Sequence, residues 1–324
     1  MQPSQLSVRD LAAYYRTETT PNKAVDGVTF DVARDEIFGI AGESGCGKST
    51  LAKAILRLLK PPGYIKDGKI FFNDINLLEL DQKDLRNTRW RHISYIPQGS
   101  MNSLNPVIRA EDQIMEAIRL HDSNTSKSDL KQKVEELFIS VGLAPEVSRA
   151  YPHELSGGMK QRVVIAMAIA LGPELIVADE PTTALDVVVQ KGILQLLLDL
   201  KERLGSSLIL ITHSMPVQAQ VSDRIAIMYA GKIVEVGDSN VIFSDPLHPY
   251  TQALISAVPS IEATKKLSGL SGFPPDLRTP PPGCRFHPRC PHAIEGKCNV
   301  KEPSLIEVLS GRLVACHMNG GNSG

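Results

Sequence analysis

Residues 37–49 read IFGIAGESGCGKS, and this stretch decides the fold. Ile37 to Ala41 is a short apolar run ending at a glycine, the pattern of a buried strand feeding a loop. The loop Gly42-Glu43-Ser44-Gly45-Cys46-Gly47-Lys48-Ser49 then fits G-x-x-x-x-G-K-[ST]. From Lys48 onward, Leu51, Ala54, Ile55 and Leu58 share one face of a helix, which Pro61-Pro62-Gly63 is expected to stop. Strand, glycine-rich loop and helix in this order make a phosphate cradle. The glycines let backbone N–H groups turn inward, and the helix N-terminus adds partial positive charge. Lys48 is expected to reach the β- and γ-phosphates, and the Ser49 hydroxyl to ligate Mg²⁺. Cys46 sits at a variable position and reads as a small filler.

Outward from this loop the chain reads as α/β. Residues 4–32 alternate apolar and polar and predict antiparallel strands with turns at Pro21-Asn22 and Asp26-Gly27. A short strand at 93–96 ends in Pro97-Gln98. From Gly99 to Pro152 helical periodicity dominates, which predicts a helical insertion at about 99–160. The α/β pattern returns with a helix over 156–171, a strand over 175–178, a helix over 187–204 and a strand over 208–212. Strands alternating with helices imply a parallel sheet covered on both faces. After about Asp245 the prolines at 246, 249, 259, 274, 275 and 280–282 predict a loop-rich C-terminal domain. The expected division is 1–245 and 246–324.

Composition bounds the function. The chain has 324 residues, 35 basic and 36 acidic, for a net charge of −1, which argues against a nucleic-acid-binding surface. No apolar h-region follows Met1. The longest apolar run, 163–171, falls far short of the ~20 residues that span a bilayer. A soluble, cytoplasmic chain is expected, with any membrane role passing through partners. Of five cysteines, Cys284, Cys290, Cys298 and Cys316 crowd into the C-terminal segment. In a reducing compartment such a cluster reads as metal or redox chemistry before disulfides.

Two further segments carry chemistry. Leu175-Ile176-Val177-Ala178-Asp179-Glu180 is an apolar strand ending in two acids, costly to bury without a use. Asp179 is expected to hold Mg²⁺, directly or through water. Glu180 then stands as the base that polarises water toward the γ-phosphate. In Leu155-Ser156-Gly157-Gly158-Met159-Lys160-Gln161, Ser156 reads as an N-cap, and two glycines allow a close backbone approach.

Taken together, these three motifs resemble those of the ABC ATPase family, whose LSGGQ signature the last segment matches with Met159 in place of Gln. The resemblance implies a P-loop NTPase with a RecA-like core, an antiparallel β subdomain and a helical insertion. It implies ATP and Mg²⁺ as ligands. Gly42, Ser44, Gly45, Cys46, Gly47, Lys48, Ser49 and Thr50 would surround the phosphates. Ser156, Gly157 and Gly158 would face the phosphate loop of a second ATPase subunit, with ATP sandwiched between. Gln98 matches the Q-loop glutamine, which contacts Mg²⁺, senses the γ-phosphate and faces the membrane partner. Ala184-Leu185-Asp186 resembles the D-loop. His213 matches the switch histidine, with Ser214 where an Asp commonly follows. Tyr15 aligns with the aromatic that stacks on adenine, and Tyr14 is the adjacent alternative.

The C-terminal segment narrows the resemblance. His248-Pro249-Tyr250-Thr251-Gln252-Ala253-Leu254 and Pro282-Gly283-Cys284-Arg285-Phe286-His287-Pro288-Arg289-Cys290-Pro291 look like the extension of dipeptide, oligopeptide and nickel importer ATPases. That implies two membrane-spanning permeases and, indirectly, an external solute-binding protein, at the cytoplasmic face of the membrane. A nickel importer stays the alternative. A non-transport ABC protein fits less well, because the chain has one motif set and no heptad arm. A cysteine-based regulator would need an effector domain, and none is visible. The spacing C-x₅-C-x₇-C-x₁₇-C lacks the tight pairs of structural zinc, and Cys290-Pro291 echoes the Cys-Pro of cluster ligands. Members with this pattern hold iron–sulfur clusters, so the resemblance implies [4Fe–4S]. His287, His292 and His317 keep zinc open.

Overall fold

The structure is a computed structural model that describes residues 4–99, 103–257 and 272–319. Pro259, one of the prolines expected to break the chain, lies outside them. The chain forms two compact units, Met1–Leu78 with Leu210–Gly324, and Glu79–Ile209.

The first unit opens with β1 (Ser4–Tyr15) antiparallel to β2 (Asn22–Ala33), Val8 opposite Phe30. The turn expected at Asp26-Gly27 does not form, and both residues lie inside β2. Leu11 faces Val28 while Ala13 faces Val25, so β2 absorbs one extra residue as a bulge, with Gly27 at φ 71. Glycine adopts a positive φ at little cost, so the residue type that suggested a turn serves a bulge instead. β3 (Ile37–Ala41) is the apolar strand before the loop, and α1 (Lys48–Ile55) follows it. The helix ends well before the prolines, because Arg57 takes a left-handed φ of 52. Leu58 therefore lies beyond it. β4 (Gly63–Phe72) and β5 (Ile75–Asn76) complete a four-stranded sheet in the order β2-β1-β4-β5.

The second unit contains α2 (Gln82–Thr88), β6 (Ile93–Ile96), α3 (Ala110–Arg119), α4 (Lys127–Ser140), α5 (Gly157–Ile169), β7 (Leu175–Asp179) and α6 (Val187–Leu204). β6 and β7 pair in parallel, Tyr95 opposite Val177. All five residues of β7 are buried, as befits a parallel strand covered on both faces. α3 buries Ile114, Met115 and Ile118, and α4 buries Leu130, Val134 and Phe138. These are the two longest helices of the expected insertion. α6 starts on an Asp186 cap and stops at Gly205 in the left-handed region. β8 (Ser207–Ile211) then leads the chain out of this unit.

Back in the first unit come α7 (Met215–Val221), β9 (Arg224–Tyr229), β10 (Lys232–Asp238), α8 (Ser239–Ser244), α9 (Pro249–Ser256), β11 (Ile306–Leu309) and β12 (Arg312–Val314). The strands run β11-β12-β10-β9-β3, with β9 parallel to β3. The C-terminal segment is thus more than loops, because its β11–β12 hairpin extends the sheet that carries the phosphate-loop strand. Its core joins Ala41, Ile225, Ile227, Tyr229, Tyr250 and Phe286. Among the described residues no helix is long and apolar enough to cross a membrane.

Candidate active site

The loop between β3 and α1 is shaped by what surrounds it. Gly47 takes φ 112, and a Cβ there would sit 1.9 Å from the carbonyl oxygen of Ala24, so no other residue fits. Lys48 is buried, and its Nζ donates to the carbonyls of Gly42 at 2.8 Å and Glu43 at 2.9 Å. A buried ammonium needs such partners. Ser44 and Gly45 are exposed, while Ser49 is half-buried at the start of α1. Cys46 is buried, and burial pushes its thiol up, with Lys48 pulling the other way. That is the environment of an inert filler.

The two candidate tyrosines part company. Tyr14 is buried, donates from its hydroxyl to Asp26 Oδ1 at 2.5 Å and meets Tyr64 edge-to-face. Tyr15 is half-buried, with its hydroxyl 3.2 Å from Thr50 Oγ1 on α1. Tyr14 is committed to packing, whereas Tyr15 stands next to the loop helix. His213 is exposed just after β8.

In the second unit, Asp179 ends β7 with 0% exposure and accepts a hydrogen bond from Tyr95 Oη at 3.0 Å. Glu180 follows at φ 48. Its Oε2 accepts from Gln98 Nε2 at 2.9 Å and from Thr183 Oγ1 at 2.9 Å. Gln98 and Glu180, read as separate motifs in the sequence, meet here. Ser156 caps α5 by accepting from the Met159 N–H at 3.3 Å, and it is exposed together with Gly157. A Cβ on Gly158 would come 2.9 Å from Val189 Cγ1 of α6. Asp186 Oδ1 accepts from the N–H groups of Val188 at 3.1 Å and Val189 at 3.0 Å.

Residues 25–183 match the ABC transporter family, and residues 234–298 match the oligopeptide/dipeptide transporter C-terminal region. The chain is 43% identical over 315 residues to the dipeptide transport ATP-binding protein DppD of Escherichia coli, covering 96% of each. The chain belongs to the ABC transporter ATPases.

This ABC ATPase is also 44% identical over 308 residues to the oligopeptide transport ATP-binding protein OppD of Bacillus subtilis, covering 94% of this chain and 86% of that one. Among solved structures it is similar to a dimeric ATP-binding cassette in a post-hydrolysis state bound to ADP and Pi. The TM-score is 0.65 at 28% identity, covering 72% of this chain and 99% of that chain. ATP hydrolysis is the chemistry of the family.

The C-terminal cysteines of this ABC ATPase lie partly or fully buried. Burial pushes the Cys284 thiol up to about 11, and Cys298, Cys316 and Cys290 each add to the rise. Cys284 and Cys290 pack on the core that holds Tyr250 and Phe286. Nδ1 of His287 lies 2.9 Å from the Cys284 carbonyl, and Nε2 of His317 lies 2.7 Å from that of Lys301. Among the described residues no group of three or more His, Cys, Asp or Glu side chains is placed to hold a metal ion.

Sequence reasoning missed several residues of this ABC ATPase. Tyr95 and Thr183, the partners of the two acids, carry no motif. Their signal is a polar residue on a parallel strand and one just after Glu180. Glu43 was a variable position of the phosphate loop. In the structure its N–H donates to Tyr250 Oη at 2.9 Å, and its carboxylate pairs with Arg289 at 2.8 and 2.9 Å.

Proposed function

We propose that this chain is the nucleotide-binding subunit of a peptide importer, hydrolysing ATP to drive dipeptides or oligopeptides through membrane permeases. One observation carries the cargo reading. The ABC match is followed by a match to the oligopeptide/dipeptide transporter C-terminal region over residues 234–298. Relatives 40–45% identical, most of them matched over nearly their full length, bear the names of dipeptide and oligopeptide transport ATP-binding proteins. On this reading residues 1–245 are the cassette, and 246–324 are an importer-specific extension. The chain works at the cytoplasmic face of the membrane through two permeases, with a second ATPase subunit beside it and a solute-binding protein outside.

The residue roles follow the family pattern. Lys48 and the loop N–H groups hold the phosphates, and Tyr15 stacks on adenine. Ser49, Asp179 and Gln98 would hold Mg²⁺, which would supply countercharge to the phosphoryl group. Glu180 orients and polarises the attacking water, and His213 hydrogen-bonds the γ-phosphate. Ser156, Gly157, Gly158 and Asp186 act across the subunit interface. The four cysteines are read as ligands of a structural [4Fe–4S] cluster. The spacing C-x₅-C-x₇-C-x₁₇-C and the Cys290-Pro291 pair are what support this reading. A bound cluster would deprotonate those thiols.

The test is reconstitution of the chain with its permeases, second ATPase and solute-binding protein in vesicles. ATP-dependent uptake of labelled di- or oligopeptides is expected. Uptake of nickel without peptide would overturn the cargo reading.

A further inference from the structure

Glu43, the second residue of the phosphate loop, has all its polar groups engaged. Its backbone N–H donates to Tyr250 Oη at 2.9 Å, and its carbonyl accepts from Lys48 Nζ at 2.9 Å. Its carboxylate takes both terminal nitrogens of Arg289, at 2.8 and 2.9 Å. Two of these three anchors come from the C-terminal segment. Both are rigid. Tyr250 is fully buried, with its ring 4.5 Å from Tyr229 and 5.4 Å from Phe286. The Arg289 side chain is 6% exposed and lies over the Tyr229 ring. Bidentate Arg–carboxylate pairing fixes orientation as well as distance.

We infer that Arg289 and Tyr250 are positioning residues for ATP binding. They act through Glu43 to hold the phosphate loop and Lys48 in the binding arrangement before nucleotide arrives. A loop fixed in advance does not pay its ordering entropy when ligand binds. The extension thereby contributes to nucleotide affinity without touching the nucleotide. This rests on the reading of 42–50 as the ATP phosphate loop.

The full chain would be titrated with a fluorescent ATP analogue and Mg²⁺, with thermal unfolding recorded for every variant. Tyr250→Phe keeps the ring packing and removes one hydrogen bond, so Kd is expected to rise roughly three- to tenfold. Arg289→Ala is expected to raise it roughly tenfold or more, because the bonds it loses are charge-assisted. Arg289→Ala should add little in a Glu43→Gln background if it acts through Glu43. A purely structural role would lower Tm and leave the affinity of the folded protein unchanged. A Kd within about twofold of wild type in Tyr250→Phe and Arg289→Ala overturns the inference, and Tyr250→Phe decides alone if the arginine variant does not fold. Lys48→Ala serves as the control. If it abolishes binding while the other variants bind normally, the inference alone falls. If it binds as wild type does, the phosphate-loop reading falls and takes the inference with it.

Discussion

Gln98 Nε2 donates to Glu180 Oε2 at 2.9 Å, joining the end of one parallel strand to the residue after its neighbour. Glu180 is further held by Thr183 at 2.9 Å, while the preceding Asp179 is buried against Tyr95. The two acids at the end of β7 thus have different surroundings, one enclosed and one half-exposed. Such a difference lets neighbouring carboxylates take different roles.

Glu180→Gln is expected to bind ATP and lose most turnover. Removing a positioned acid–base group typically costs ~10²–10⁴-fold, about 3–5 kcal/mol in barrier. Phosphate release from the complex assembled with its permeases is the measurement, and near-normal turnover would refute the role.

Lys48→Ala is expected to abolish binding of a fluorescent ATP analogue, since the triphosphate loses its main countercharge. Equilibrium titration checks this. An unchanged Kd would remove Lys48 from the site.

Association should depend on ATP and on the signature. Light scattering of the Glu180→Gln chain mixed with the second ATPase is expected to show a 1:1 complex only with ATP. Ser156→Ala deletes the α5 cap, a loss of about 1 kcal/mol in stability, yet should also weaken this association. Association indifferent to ATP would contradict the sandwich.

His248 gives a pH prediction. It caps α9, its Nδ1 accepts from the Tyr250 backbone N–H, and its backbone N–H donates to buried Glu235, which Arg312 pairs. Burial lowers its pKa from 6.5 to about 4, against a hydrogen bond to the Ala315 backbone. The unfolded chain therefore binds the proton more readily. Stability from the neutral ring is complete above pH 6.5 and is lost as pH falls toward 4, by up to about 3 kcal/mol. Urea unfolding across that window should show the decline, and His248→Asn, still a good cap, should flatten it. An equal slope in both proteins would reject His248 as the source.

Anaerobic purification should yield a brown protein absorbing at about 400 nm with about four irons per chain. Cys290→Ser should lose the colour. A colourless preparation with stoichiometric zinc and no iron would overturn the cluster and leave the ATPase assignment intact.

Much of this protein is local, and local features were legible in the sequence. β3 spans Ile37–Ala41, α6 spans Val187–Leu204 and Ser156 caps α5, all as the residues predicted. Strand runs, helical periodicity and caps depend on residues a few positions apart, so one segment carries the whole signal. Tertiary structure decided the rest. Gly27 became a bulge because β1 fixed the register, and Tyr14 was drawn into the core by Asp26 and Tyr64. Arg289 reaches Glu43 across 246 positions of chain. A pairing at that separation leaves no periodic trace, because it forms only once the sheet has brought the C-terminal segment against the phosphate loop.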